Sequence, residues 1–273
     1  MYPQVVHQNS KKNAIGFPPP ILGEKPQRFS VLAETKGWIA LDKPIGFSTR
    51  AHPWDSVPDI DEALNIQLKS GKPELIRRGA TLFGSMYYLD PEASGVAIFA
   101  KNRDALARLR NRFGSGESSF RFQFISASQS TTQEPNLECA APLLPHKVKP
   151  KMIPSTAKGK KALNKFRRIT ESAKGWVLWE ARVTFFRPHQ VRAHASVLGI
   201  PILGDALYNG PEAPTQRELH PKKLRRGLNL SSYQGLALHL AEVQLNSDYP
   251  ENTIISEPHK HLRLLLRRME LAG

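Results

Sequence analysis

The chain has 273 residues, enough for one large domain or two small ones, and its 40% apolar share suits a globule with a sizeable core. The 39 Lys and Arg against 24 Asp and Glu leave a formal charge of +15, which points to a polyanion as partner, because each phosphate neutralised releases condensed counterions. A single cysteine, Cys139, excludes an internal disulfide framework and a cysteine-rich zinc site, and no run approaches the roughly 20 apolar residues of a membrane span.

The charge is uneven: residues 1–100 hold 11 Lys and Arg against 10 Asp and Glu, and residues 101–273 hold 28 against 14. No charged-then-apolar leader pattern opens the chain, so the expected location is cytoplasmic.

Residues 1–36, with Phe17-Pro18-Pro19-Pro20 at their centre, show no sustained period and read as an extended N-terminal arm. Trp38 to Leu41 reads as a buried strand, closed by the turn Asp42-Lys43-Pro44-Ile45-Gly46. Asp59 to Leu68 has Ile60, Ala63, Leu64 and Leu68 on one helical face, and Gly71 and Pro73 end it. Val96 to Ala100 is apolar without alternation, as a strand covered on both faces should be.

Asp104 is the expected N-cap of a helix through Leu106, Leu109 and Phe113, with Gly114 as its stop. Phe120 to Phe124 alternates as a strand, and a polar loop runs from Ser126 to about Asn136. The densest positive region is Lys147, Lys149, Lys151, Lys158, Lys160 and Lys161, with a second cluster at 222–226. Trp176 to Phe186 alternates again and leads into a helix beginning near Pro188, which Gly199 and Pro201 end. Gly235 to Leu245 has strand character, and His259 to Leu271 is a closing helix with Leu262, Leu265, Leu266 and Met269 inward. Strands outnumber helices without regular helical crossovers, so the fold class is α+β around a mixed or largely antiparallel sheet, residues 37–273 forming one domain.

Two segments hold residue types suited to chemistry. Phe186-Arg187-Pro188-His189-Gln190-Val191-Arg192-Ala193-His194 gathers two arginines, an amide and two histidines at a helix start. Tyr88-Leu89-Asp90-Pro91-Glu92-Ala93-Ser94-Gly95 sets a carboxylate on a loop before the apolar strand, Pro91 holding Asp90 away from helical torsions. Taken singly, Asp90 is a turn residue, and His189 and His194 are polar groups at a core edge. No phosphate-loop pattern, G-x-S-x-G elbow or H-E-x-x-H pair is present, and no third ligand is spaced to complete a metal site.

These segments resemble the RluA/RsuA-type RNA pseudouridine synthases. The family's His-Arg-Leu-Asp-x-x-Thr-Ser-Gly stands here as Tyr87-Tyr88-Leu89-Asp90-Pro91-Glu92-Ala93-Ser94-Gly95, with Ala100-Lys101 closing the following strand. Its Gly-Arg-x-His-Gln-Ile-Arg-x-His stands as Phe186 to His194, followed by Gly199 to Asp205 and Tyr208. Asp42 to Gly46, Gly159 to Ala162 and Leu238 to Leu240 match weaker signatures in the right order, so the resemblance spans about residues 38 to 270. The departures are Tyr87-Tyr88 for His-Arg, Ala93 for Thr, Phe186 for Gly, and Phe120 at the approximate position of the family's active-site tyrosine.

The resemblance implies a pseudouridine synthase-like catalytic domain with a cleft, isomerising uridine in ribosomal or transfer RNA without cofactor or metal, and acting as a monomer. It makes Asp90 the catalytic carboxylate and Arg192 the cation that keeps it ionised, an opposite charge within about 4 to 6 Å lowering a carboxylate pKa. Tyr88, Phe120, Arg187, His189, Gln190 and Lys101 are the expected RNA-binding residues, Tyr88 filling the gap left by an extruded base and Phe120 stacking on the uracil. The alternatives are a noncatalytic RNA-binding or ribosome-associated protein on a decayed synthase scaffold, and an unrelated basic interaction protein.

Overall fold

The structure, a computed structural model, describes residues 13–128, 134–219, 230–246 and 253–272. The chain divides into two compact units, Met1–Phe120 with Leu240–Glu257, and Arg121–His239 with Pro258–Gly273.

The first unit opens with strands β1 (Ala14–Phe17), β2 (Gln27–Glu34) and β3 (Trp38–Lys43), then helices α1 (Ile60–Lys69) and α2 (Pro73–Arg77). Strands β4 (Gly84–Ser85) and β5 (Ser94–Ala100) bracket the Asp90 loop, and α3 (Arg103–Ser115) follows. The second unit carries most of β6 (Ser119–Ala127), then β7 (Asn136–Cys139), the hairpin β8 (Leu143–Pro145) and β9 (Met152–Pro154), β10 (Asn164–Ser172) and β11 (Trp176–Val183). Next come α4 (Gln190–Val197), a 3-10 turn (Ala206–Tyr208) and α5 (Gln216–Leu219). Strands β12 (Leu238–Gln244) and β13 (Thr253–Ile255) then precede α6 (Lys260–Arg268), which belongs to the second unit. The α+β class expected from the sequence is the one observed.

In the first unit the strand order is β1-β2-β3-β5-β12, and β1–β2, β2–β3, β3–β5 and β12–β13 all run antiparallel. Its core joins Ile15, Phe17, Phe29, Val31, Ile39, Leu41 and Phe99 of the sheet to Ile60 and Leu64 of α1. Residues 13–36 are therefore not an arm. Phe29, Val31 and Ala33 point inward at every second position of β2, a period that the flanking prolines hide in the sequence. Residues 1–12 of the expected arm lie outside the described residues, as does the cluster at 222–226.

In the second unit β6-β11-β10-β7 lie side by side, and Phe124, Phe166 and Trp179 share one face. The α6 helix buries Leu262, Leu265, Leu266 and Met269, the four residues expected inward. Helix α3 is capped two residues earlier than expected: the Asn102 side chain accepts from the Ala105 N–H at 2.8 Å, and Asp104 sits inside the first turn where the helix dipole favours an anion. It also outruns Gly114, because Gly116 supplies the left-handed C-cap at φ +76°. Of the polar loop after β6, residues 129–133 lie outside the described residues.

Candidate active site

In the first unit Asp90 is buried, 6% exposed, and begins a turn in which the Ala93 N–H donates to its carbonyl at 3.1 Å. The chain is fixed on both sides of it. Before Asp90, the Thr49 hydroxyl donates to the Tyr87 carbonyl at 2.8 Å and accepts from the Leu89 N–H at 2.9 Å. After it, the ammonium of Lys43, at the end of β3, donates to the carbonyls of Ala93 (2.5 Å), Pro44 (3.0 Å) and Pro91 (3.4 Å), and the Gly46 N–H adds a second donor on Pro91 at 2.7 Å. Burial pushes Lys43 down to about 7, against the opposing pull of Asp90, Glu92 and Asp55. The turn Asp42 to Gly46 thus carries a group that secures the Asp90 loop, a role its Pro and Gly alone do not announce.

Tyr88 and Phe120 are placed differently from expectation. The Tyr88 ring lies 4.9 Å from His52, and its hydroxyl donates to the Asp55 carboxylate at 2.8 Å, so it is tied down inside the fold. Burial, reinforced by Asp90 and Asp55, raises its pKa. Phe120 is fully buried, edge-on to Tyr87 at 5.2 Å and to Phe113 at 5.5 Å. It is a core ring that offers a uracil no face. Lys101 is likewise structural: it is 2% exposed, and its ammonium lies on Glu34 at 3.0 Å and the Arg78 carbonyl at 2.8 Å.

In the second unit His189 takes φ +56° at the start of α4, turning the chain so that Gln190 to Ala195 are all buried. Arg192 meets Asp205 in a fork, Nε to Oδ2 at 2.8 Å and Nη2 to Oδ1 at 2.9 Å. Its guanidinium also lies 5.3 Å from the centre of the Tyr208 ring. The Tyr208 hydroxyl accepts from the Met152 N–H at 2.7 Å and faces His189 Nδ1 at 3.2 Å.

Gln190 is a brace: its Oε1 accepts from the Arg187 N–H at 3.0 Å, and its Nε2 donates to Asn164 Oδ1 at 2.9 Å. His194 is fully buried between Asn164 Oδ1 (2.7 Å) and the Ala141 carbonyl (2.9 Å), and burial lowers its pKa. Arg187, partly exposed, donates through Nε to the Lys161 carbonyl at 3.3 Å and lies over Phe185.

The second unit therefore brings Arg187, His189, Gln190 and Arg192 into one hydrogen-bonded neighbourhood with Asp205, Tyr208 and Asn164. Asp205 and Tyr208 stand in the Gly-Asp-x-x-Tyr stretch of the sequence, which was a signal for them. Asn164, in a lysine-rich segment, carried none. Among the described residues no three His, Cys, Asp or Glu side chains gather as a metal site, and no helix is long and apolar enough to cross a membrane.

No family model matches the chain. A ribosomal large subunit pseudouridine synthase D of Zymomonas mobilis is 32% identical over 163 residues, covering 59% of this chain and 47% of that protein. The protein of the same name from Haemophilus ducreyi is 28% identical over 181 residues, covering 66% and 52%. The chain spans about half the length of these curated relatives. Among solved structures, human RNA pseudouridylate synthase domain containing 4 superposes with a TM-score of 0.65 at 17% identity, covering 88% of this chain and 92% of that one. The chain is accordingly similar in sequence, over part of its length, to proteins named ribosomal large subunit pseudouridine synthase D, and it shares the fold of human RNA pseudouridylate synthase domain containing 4.

Proposed function

We propose that this protein is an RNA pseudouridine synthase that isomerises uridines in structured RNA, ribosomal or transfer, with Asp90 as its catalytic carboxylate. The observation that carries the reading is a buried aspartate on a loop fastened on both flanks by Thr49 and Lys43, in a chain whose sequence relatives bear that activity in their names. The reaction breaks the bond from uracil N1 to C1′, turns the base and rejoins it through C5; C5 gives up its proton and N1 takes one up, so the product is an isomer of the substrate. Asp90 acts either on the sugar carbon or on the 2′ proton, and both routes need an ionised carboxylate in a fixed position. Arg192, whose planar guanidinium Asp205 holds in a fork, is proposed as a second residue of the reaction.

The target base must leave its stack, at a cost of a few kcal/mol, before a loop carboxylate reaches its sugar. Contacts to the RNA backbone supply that energy. The exposed lysines 147, 149, 158, 160 and 161 on and after the β8–β9 hairpin are proposed to make such contacts, and the Met152 bond to Tyr208 ties the hairpin to the Arg192 neighbourhood.

Asp90→Asn tests the reading. Pseudouridine formation on unmodified transcripts is expected to disappear while RNA affinity stays within a few fold. Product from the variant would remove Asp90 from the mechanism, and wild-type protein that binds RNA without making product would favour the noncatalytic scaffold.

A further inference from the structure

The second unit carries a basic platform on the sheet face turned away from α4. Asn164 and Phe166 of β10 point to the α4 side, where Asn164 bonds Gln190 and His194, so the alternating Lys165 and Arg167 point to the other. There Arg167 pairs in register with Glu180 of β11, and Lys165 with Arg182. Glu180 is 4% exposed, yet it gathers Arg182 (Nε at 2.7 Å), Arg167 (Nη2 at 3.4 Å) and Arg121 (Nη1 at 3.8 Å). One carboxylate cannot neutralise three guanidinium groups, and among the described residues that border the adjoining cavity Glu138 of β7 is the one further acid.

The arginines are held in a way that leaves donors to spare. Arg182 is engaged through Nε alone and Arg167 through Nη2 alone, and their side chains are 48% and 58% exposed. Lys165 stands opposite Arg182 of β11 on one side and Glu138 of β7 on the other, so the two acids Glu138 and Glu180 are shared among Lys165 and the three arginines, and the cluster keeps a net positive charge. The side chains border an open cavity of about 490 Å³.

We infer that this face binds the phosphodiester backbone of the RNA substrate, at a surface separate from the Arg192 neighbourhood. Guanidinium forks fit phosphate oxygens two bonds at a time, and the buried Glu180 sets the forks before RNA arrives, so little side-chain freedom is lost on binding. The inference rests on the proposal that the protein acts on RNA. An RNA reaching both surfaces extends beyond the target nucleotide and its immediate neighbours.

The test is the double variant Arg167→Ala, Arg182→Ala, in which both replaced side chains are half exposed and Glu180 is kept. Binding of a labelled, unmodified transfer RNA transcript is titrated at several salt concentrations. Removal of two phosphate contacts is expected to reduce the magnitude of the slope of log K against log salt by about 1.4 to 1.8; the buried Glu180 then keeps only Arg121, so the variant is expected to melt earlier and is titrated at a temperature where circular dichroism shows it folded. An unchanged slope in a folded double variant overturns the inference, as does loss of binding to polyglutamate with RNA binding intact, which would assign the face to an acidic polypeptide. Wild-type protein that forms pseudouridine while the variant keeps its slope sinks this inference alone, whereas wild-type protein that binds no RNA sinks the RNA reading itself.

Discussion

Arg192 and Asp205 meet as a two-bond fork, 2.8 and 2.9 Å, with the arginine 4% and the aspartate 1% exposed. The aspartate is itself set by its backbone: its carbonyl accepts from the N–H groups of Tyr208 and Gly210, so the 3-10 turn fixes the acid and the acid fixes the arginine. Removing one partner of a buried pair leaves an uncompensated charge, at a cost of about 3 to 5 kcal/mol. Asp205→Ala is expected to lose that much in urea unfolding. Asp205→Asn, which keeps the shape, is expected to lose less stability but to lower kcat with little change in KM, as fits a residue that positions Arg192. Equal losses of stability and an unaltered kcat for the asparagine variant would make the pair purely structural.

The strands and helices nearest Asp90 and Arg192 were legible because their signals are local. The unbroken apolar run of β5, the alternation of β11 and the apolar stripe of α6 each reflect what one element buries. Strands β1, β2 and β10 were not legible: prolines flank the first two, and in β10 Lys165 and Arg167 of the outer face conceal that Asn164 and Phe166 alternate inward. The carboxylate and the arginine of the candidate site stood out by residue type, but the groups holding them did not. Lys43 looks like a surface lysine in a turn, and only the fold shows its ammonium among three carbonyls. Conversely, Phe120, Lys101 and Gln190 have residue types that suit RNA contacts, and burial assigns them to packing and bracing.

Lys43 offers a pH-dependent test of that loop. Its pKa in the fold is about 7 against an ordinary 10.5, because burial opposes its charge. Between those values the unfolded chain holds a proton that the folded one does not, so stability rises with pH across the window and this contribution is lost as pH falls through about 7. Lys43→Met keeps the stem and removes the titration. The difference in unfolding free energy between wild type and variant should shift in favour of wild type as pH rises from 7 towards 10.5, measured by urea melts at fixed pH. A flat difference would mean that the ammonium is not buried. The variant should also lower kcat more than it raises KM, since the carbonyls flanking Asp90 lose their shared donor.

Gly95 closes the same loop at the start of β5. It takes φ +122°, and a Cβ there would lie 2.1 Å from the Leu240 carbonyl oxygen of β12. Backbone cannot swing aside as a side chain can, so Gly95→Ala is expected to cost about 4 kcal/mol or more. Gly46 shares the positive φ, at +97°, but a Cβ there meets nothing within 4 Å, so Gly46→Ala carries only the torsional strain of about 1 to 3 kcal/mol. Denaturant unfolding of the two variants separates the contributions, and similar losses at both sites would contradict the close approach to β12.

Phe120→Tyr asks whether the aromatic position aligned with the family's tyrosine faces the chemistry. The Phe120 ring has no exposed surface and is met edge-on by Tyr87 and Phe113, and the Tyr87 hydroxyl is already committed to the Val96 carbonyl at 2.8 Å. A new hydroxyl buried there without a hydrogen-bond partner costs about 1 to 3 kcal/mol. The variant is therefore expected to melt earlier and to form pseudouridine no faster than wild type. A variant of unchanged stability and higher turnover would show that the ring edge opens onto the substrate and that the alignment, not the burial, describes the role of Phe120.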